Sequence, residues 1–118
     1  MALHTELPIY KVAYDLLSLI VQVARNMPRD VKVPIGGRLL DECSAITVLI
    51  LRANVARDKA PHLLELVERQ QAIELLIRLS HDLRFLGQKQ YAAAIALTAS
   101  IGRQANAWRA KSRPSPAA

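Results

Sequence analysis

The sequence predicts an all-α protein, an antiparallel up-down four-helix bundle, and three observations carry that prediction. Apolar residues recur at the helical period through most of the chain. The prolines and most glycines fall where they cut it into four long segments with short links, the pattern of antiparallel neighbours. Finally, 52% of the 118 residues are apolar. A chain of this mass buries roughly 65% of its unfolded surface, enough for a core without disulfides or a metal.

The first helix is expected from about Pro8, suited to a first-turn position, to Met27, ahead of Pro28. Pro28–Pro34 (PRDVKVP) reads as an extended connection. A second helix runs from about Ile35 to Arg57, with Gly36 and Gly37 weakening its first turn. Its Ala45–Leu51 run (AITVLIL) has strand-like propensity, but polar helix-favouring flanks and the lack of a partner strand keep it helical. Asp58–Pro61 is the next break, and the third helix reaches Leu86, with Gly87 as its stop. The fourth spans Gln88 to Lys111. Residues 1–111 thus form one bundle domain, and 112–118 (SRPSPAA) a disordered tail.

Two helices have informative faces. On the first, Lys11, Asp15, Ser18, Gln22 and Arg25 fall within an arc of about 80°, and nearly everything else is apolar. A helix in a lone bundle need bury only one stripe, so a second dry face points to packing against another copy. A large, irregular single core is the alternative. On the fourth, Tyr91, Ile95, Thr98, Ile101, Ala105 and Trp108 make one core stripe. Lys89, Arg103 and Lys111 lie within about 55° of the opposite direction, and Arg109 near the apolar side. No aromatic residue sits on that basic face, which favours backbone-phosphate contact over base reading.

Charge is unevenly placed. Residues 1–82 hold ten basic and ten acidic side chains, whereas residues 83–118 hold Arg84, Lys89, Arg103, Arg109, Lys111 and Arg113 and no acid, so the net +6 sits there. Such asymmetry points to a polyanionic partner. A basic last helix also suits its own macrodipole and solubility, and charge alone does not choose. The longest stretch free of charge is thirteen residues, Gln90 to Gly102. A membrane helix needs about eighteen or more, so no membrane partner is expected. The opening MALHTELPIYK lacks a basic segment before an apolar run, so no signal peptide is expected. Cys43 is the single cysteine, which fits a reducing, cytoplasmic setting and a core thiol.

No constellation for catalysis emerges. His4, His62 and His81 lack metal-ligand spacing with each other or with Cys43, and read as surface or helix-end residues. Asp41–Glu42 and Glu65–Glu68 read as solvated faces with local arginine partners. Ile35–Arg38 (IGGR) lacks the Lys-Ser/Thr of a phosphate loop. Neither an enzyme nor a cofactor or metal site is expected, and inward carboxylate or histidine pairs for a ligand-binding bundle are missing.

Five segments carry a resemblance: LPIYKVAYDLL (7–17), ARNMPRD (24–30), RANVARDKAP (52–61), LLIRLSHDLRFLGQKQY (75–91) and SIGRQANAW (100–108). Over about residues 7–110 the chain resembles a family of small four-helix-bundle proteins with two branches. One comprises the accessory variability proteins of diversity-generating retroelements, the other the proteins encoded by intervening sequences in bacterial 23S ribosomal RNA genes. The last two segments are the most specific, similar to the retroelement branch's arginine-bearing third helix and its closing Ile-Gly-Arg…Trp pattern. Where that branch often has paired glycines before the Trp, this chain has Asn106–Ala107.

The resemblance implies a homopentameric, barrel-like ring of bundles with a positively charged surface, associating in the retroelement branch with a reverse transcriptase and with RNA or DNA. By position, Arg78, Arg84, Lys89 and Arg103 match basic positions of that pattern. With Lys111 from the charge analysis, they form the candidate nucleic-acid-binding set. Pairing of Arg78 or Arg103 with Glu74, Asp82 or backbone carbonyls is the structural alternative. For the other branch the expectation is a structural oligomer acting through protein partners only.

Overall fold

A computed structural model describes residues 3–112. A 3-10 turn, His4–Glu6, precedes α1 (Pro8–Arg25). A single turn, α2 (Arg29–Val31), and a π-helical turn, Lys32–Gly37, lead into α3 (Arg38–Val55), followed by α4 (Ala60–Asp82) and α5 (Gln88–Lys111). There is no strand among the described residues. The four long helices form the expected four-helix bundle, 54 × 23 × 22 Å in extent. Each packs on two neighbours, α1 and α4 both lying between α3 and α5, so α1 and α4 occupy one diagonal and α3 and α5 the other.

The core follows the apolar periodicity. Leu16, Ile20, Ile46, Ile50, Leu66, Ile73, Ile77 and Ile101 are fully buried, each contributing about 1.5–3 kcal/mol. The strand-like Ala45–Leu51 run is helical and delivers Ile46, Leu49 and Ile50 to the core. On α5 the stripe is narrower than the spacing predicts: Thr98, Ile101 and Ala105 are buried with Ala94 and Gly102, while Tyr91, Ile95 and Trp108 sit half-buried at its edges. The Thr98 and Ser80 hydroxyls donate to the carbonyls of Ala94 and Leu76, both at 2.7 Å, so neither buried oxygen lacks a partner.

Two connections differ from expectation. Within Pro28–Pro34, Arg29 to Pro34 are helical rather than extended, and Pro28 keeps an extended conformation ahead of them. A proline ring clashes with the carbonyl four residues back in an α-helix, and the wider π turn accommodates Pro34. Gly36 is buried there against α1; a Cβ on it would lie 3.2 Å from both Ala24 Cβ and Met27 Sδ. Its role is close approach. The third long helix ends at Asp82, not Leu86, because the chain turns through Arg84 with φ 66°. Arg84 N–H donates to His81 O at 3.0 Å and Phe85 N–H to Ser80 O at 2.8 Å, the paired bonds of a Schellman closure. Gly87 instead caps the start of α5 in an extended conformation.

The α3–α4 link is closed by a side chain. Lys59 Nζ donates to the carbonyls of Ala53, Asn54 and Ala56 at 2.7, 3.3 and 3.0 Å, placing a cation on the orphan acceptors of α3. Ser112 forms the turn after α5, its hydroxyl donating to Trp108 O at 2.8 Å. The rest of the tail expected to be disordered, 113–118, lies outside the described residues.

Candidate nucleic-acid interface

The up-down topology divides the five candidate cations. Arg78, on the last turns of α4, Arg84 in the turn and Lys89 on the first turn of α5 share one end of the bundle. Arg103 lies about 21 Å further along α5 and Lys111 about 12 Å beyond that, at 1.5 Å per residue. All five are exposed. Arg78 is paired, donating to Glu74 Oε1 at 3.0 and 3.3 Å from Nη2 and Nε. The side chains of Arg84, Lys89, Arg103 and Lys111 have no ion pair or hydrogen bond among the described residues. Exposed and without such partners, these four cations are open to an external anion. Lys111 also borders a cleft of about 290 Å³ formed by Leu7, Pro8, Ile9, Gln104, Ala107 and Trp108.

The same topology adds cations that sequence spacing does not group. The α1–α3 connection lies at the end that holds the α4–α5 turn, so Arg25, Arg29 and Lys32, all exposed, join Arg78, Arg84 and Lys89 there. Asp30 and Asp82 are the exposed acids of these two connections. Up-down order alone would have found this grouping, since alternate connections of a bundle must share an end.

An aromatic pair sits in this setting. The His81 and Tyr91 rings stack with centroids 4.0 Å apart and planes 18° from parallel. His81 Nε2 lies 3.0 Å from Gln88 Oε1, and its Nδ1 3.9 Å from Asp82 Oδ1. The spacing assigned Tyr91 to the core stripe and left the basic face without an aromatic. Packing of α4 on α5 instead leaves Tyr91 half-buried, with His81 against it.

Other charged groups hold the fold. Glu42 is 5% exposed rather than solvated, accepting from Arg38 Nε at 3.2 Å and from Arg69 Nη1 on α4 at 3.3 Å. Arg69 also donates to Glu65 at 2.8 Å; that bond first, then the Glu42 charge, raise the pKa of its guanidinium. Asp41, Glu65 and Glu68 are exposed as the sequence indicates. Arg109 is half-buried in a cleft with Asp58, Ala60, Pro61 and Leu64. No group of three or more His, Cys, Asp or Glu side chains placed to hold a metal occurs among the described residues. Nor is any helix among them long and apolar enough to cross a membrane.

Four antiparallel helices, with exposed cations along one of them and at both connections of one end, define a small four-helix-bundle protein. The family model described as bAvd-like matches residues 7–112. The chain belongs to that family, the accessory variability determinants. No curated protein matches it.

Proposed function

We propose that the protein is a non-enzymatic, self-associating accessory factor that binds the phosphate backbone of RNA or DNA and assists a reverse transcriptase in a diversity-generating retroelement. The observation that carries this reading is the set of cations Arg84, Lys89, Arg103 and Lys111, exposed and unpaired among the described residues, in a chain of the accessory variability determinant family. Each cation that neutralises a phosphate releases condensed counterion, so affinity falls steeply with salt and depends little on sequence.

Self-association has its own support. Leu75 and Leu79 on α4, with Leu83 at its C-cap, form an exposed apolar row, and Tyr14 and Val21 another on α1, at the diagonal corner. Two different faces that meet between copies make a head-to-tail contact, which closes into a ring when the rotation allows; a pentamer is the number the family resemblance favours. A ring repeats the cations about its axis, and avidity sums weak contacts along a long polyanion.

The test is titration of labelled RNA and DNA at several salt concentrations with wild type and Lys89→Gln/Arg103→Gln. The double variant is expected to bind both nucleic acids more weakly, with a salt slope shallower by about two and an unchanged assembly state. A flat wild-type slope, or a double variant as tight as wild type, overturns the reading. The apolar row on α4 would then favour the second reading, a structural oligomer acting through protein partners only.

A further inference from the structure

At the α4–α5 turn a half-buried aromatic ring is held close in sequence to Arg84 and Lys89, which have no ion pair or hydrogen bond among the described residues. One face of the His81 imidazole is covered by Tyr91. The His81 side chain keeps 30% of its surface in solvent. Gln88 contacts its Nε2, so the ring plane is set before any ligand arrives and little rotamer freedom remains to be lost. Arg84 follows within the turn, Lys89 is next to Gln88, and Arg78 lies one helical turn before His81. Arg84 also holds a left-handed conformation that a glycine adopts without strain.

A partly exposed aromatic ring three residues from the unpaired Arg84 suits one chemistry. The cations take phosphates, and the ring offers a surface to a flat, polarizable group carried between them. In a duplex both faces of a base are already stacked, so only an unpaired base is free to use it. We infer that the His81–Tyr91 stack is a docking point for one unpaired nucleobase of a bound RNA or DNA strand, with Arg84 and Lys89 on the adjoining phosphates. The inference rests on the proposed backbone binding and adds a preference for single-stranded segments.

The experiment compares wild type, His81→Ala and His81→Phe with a short oligothymidylate carrying one 2-aminopurine and with the matching blunt duplex. His81→Ala is expected to lower single-strand affinity about ten-fold while leaving the salt slope and duplex binding unchanged, because stacking is lost and no phosphate contact is. His81→Phe keeps a ring on Tyr91 and retains single-strand affinity. Independently of any variant, 2-aminopurine emission is quenched when the strand binds wild type. An unquenched emission, an alanine variant as tight as wild type, or an equal loss on strand and duplex each overturn the inference while leaving salt-dependent backbone binding in place. Absence of all nucleic-acid binding by wild type overturns both.

Discussion

Glu42 shows how far a single residue can depart from its local context. Its neighbours Asp41 and Arg38 are exposed, and sequence spacing makes it a solvated member of an i,i+4 pair. In the fold it is 5% exposed and accepts from Arg69, twenty-seven positions away, and no local pattern encodes that approach. Cys43, next to it, is legible as a core thiol and is fully buried. Burial first, then the Glu42 charge, push this thiol up to about 12 from its ordinary 9.0. Between those values the unfolded chain gives up the proton while the folded chain keeps it. Stability is therefore intact below the lower value and lost as pH rises through the upper. Urea unfolding across the window is expected to show wild type losing up to about 1.4 kcal/mol more per pH unit than Cys43→Ala.

Among the elements, the long helices were legible and the turns were not. The fourth helix runs over Gln88–Lys111 as its period indicates, and the wheel places Lys89, Arg103 and Lys111 outside. The π turn depends on Gly36 meeting Ala24 and Met27, a tertiary approach invisible to local propensity. The α4–α5 turn misleads for another reason: Gly87 is the obvious stop, yet Arg84 takes the left-handed position. His81 meeting Tyr91 was hidden likewise, because it requires the register of α4 against α5. Arg84→Gly relieves the backbone and is expected to raise stability by about 0.5–1 kcal/mol in thermal unfolding. The same variant should show a shallower salt slope for nucleic acid, since a phosphate contact goes with the side chain.

At the scale of the molecule, the apolar rows on α1 and α4 and the α5 cations Lys89, Arg103 and Lys111 occupy different corners, so the proposed assembly and the proposed polyanion binding can be tested apart. Leu75 is 67% exposed, so replacing it costs the isolated bundle little. Leu75→Glu is expected to shift light scattering coupled to size exclusion toward the monomer while leaving the circular dichroism helical. A helical, monomeric variant would bind long polyanions more weakly than short ones relative to wild type, since avidity is lost and the single-copy contacts remain. Residues Leu7–Ile9 lie beside Trp108 and Lys111, so both ends of the described chain emerge together, about 36 Å along α5 from the Arg84 turn. Fluorophores attached near Leu7 or at Lys111 therefore stand clear of that turn.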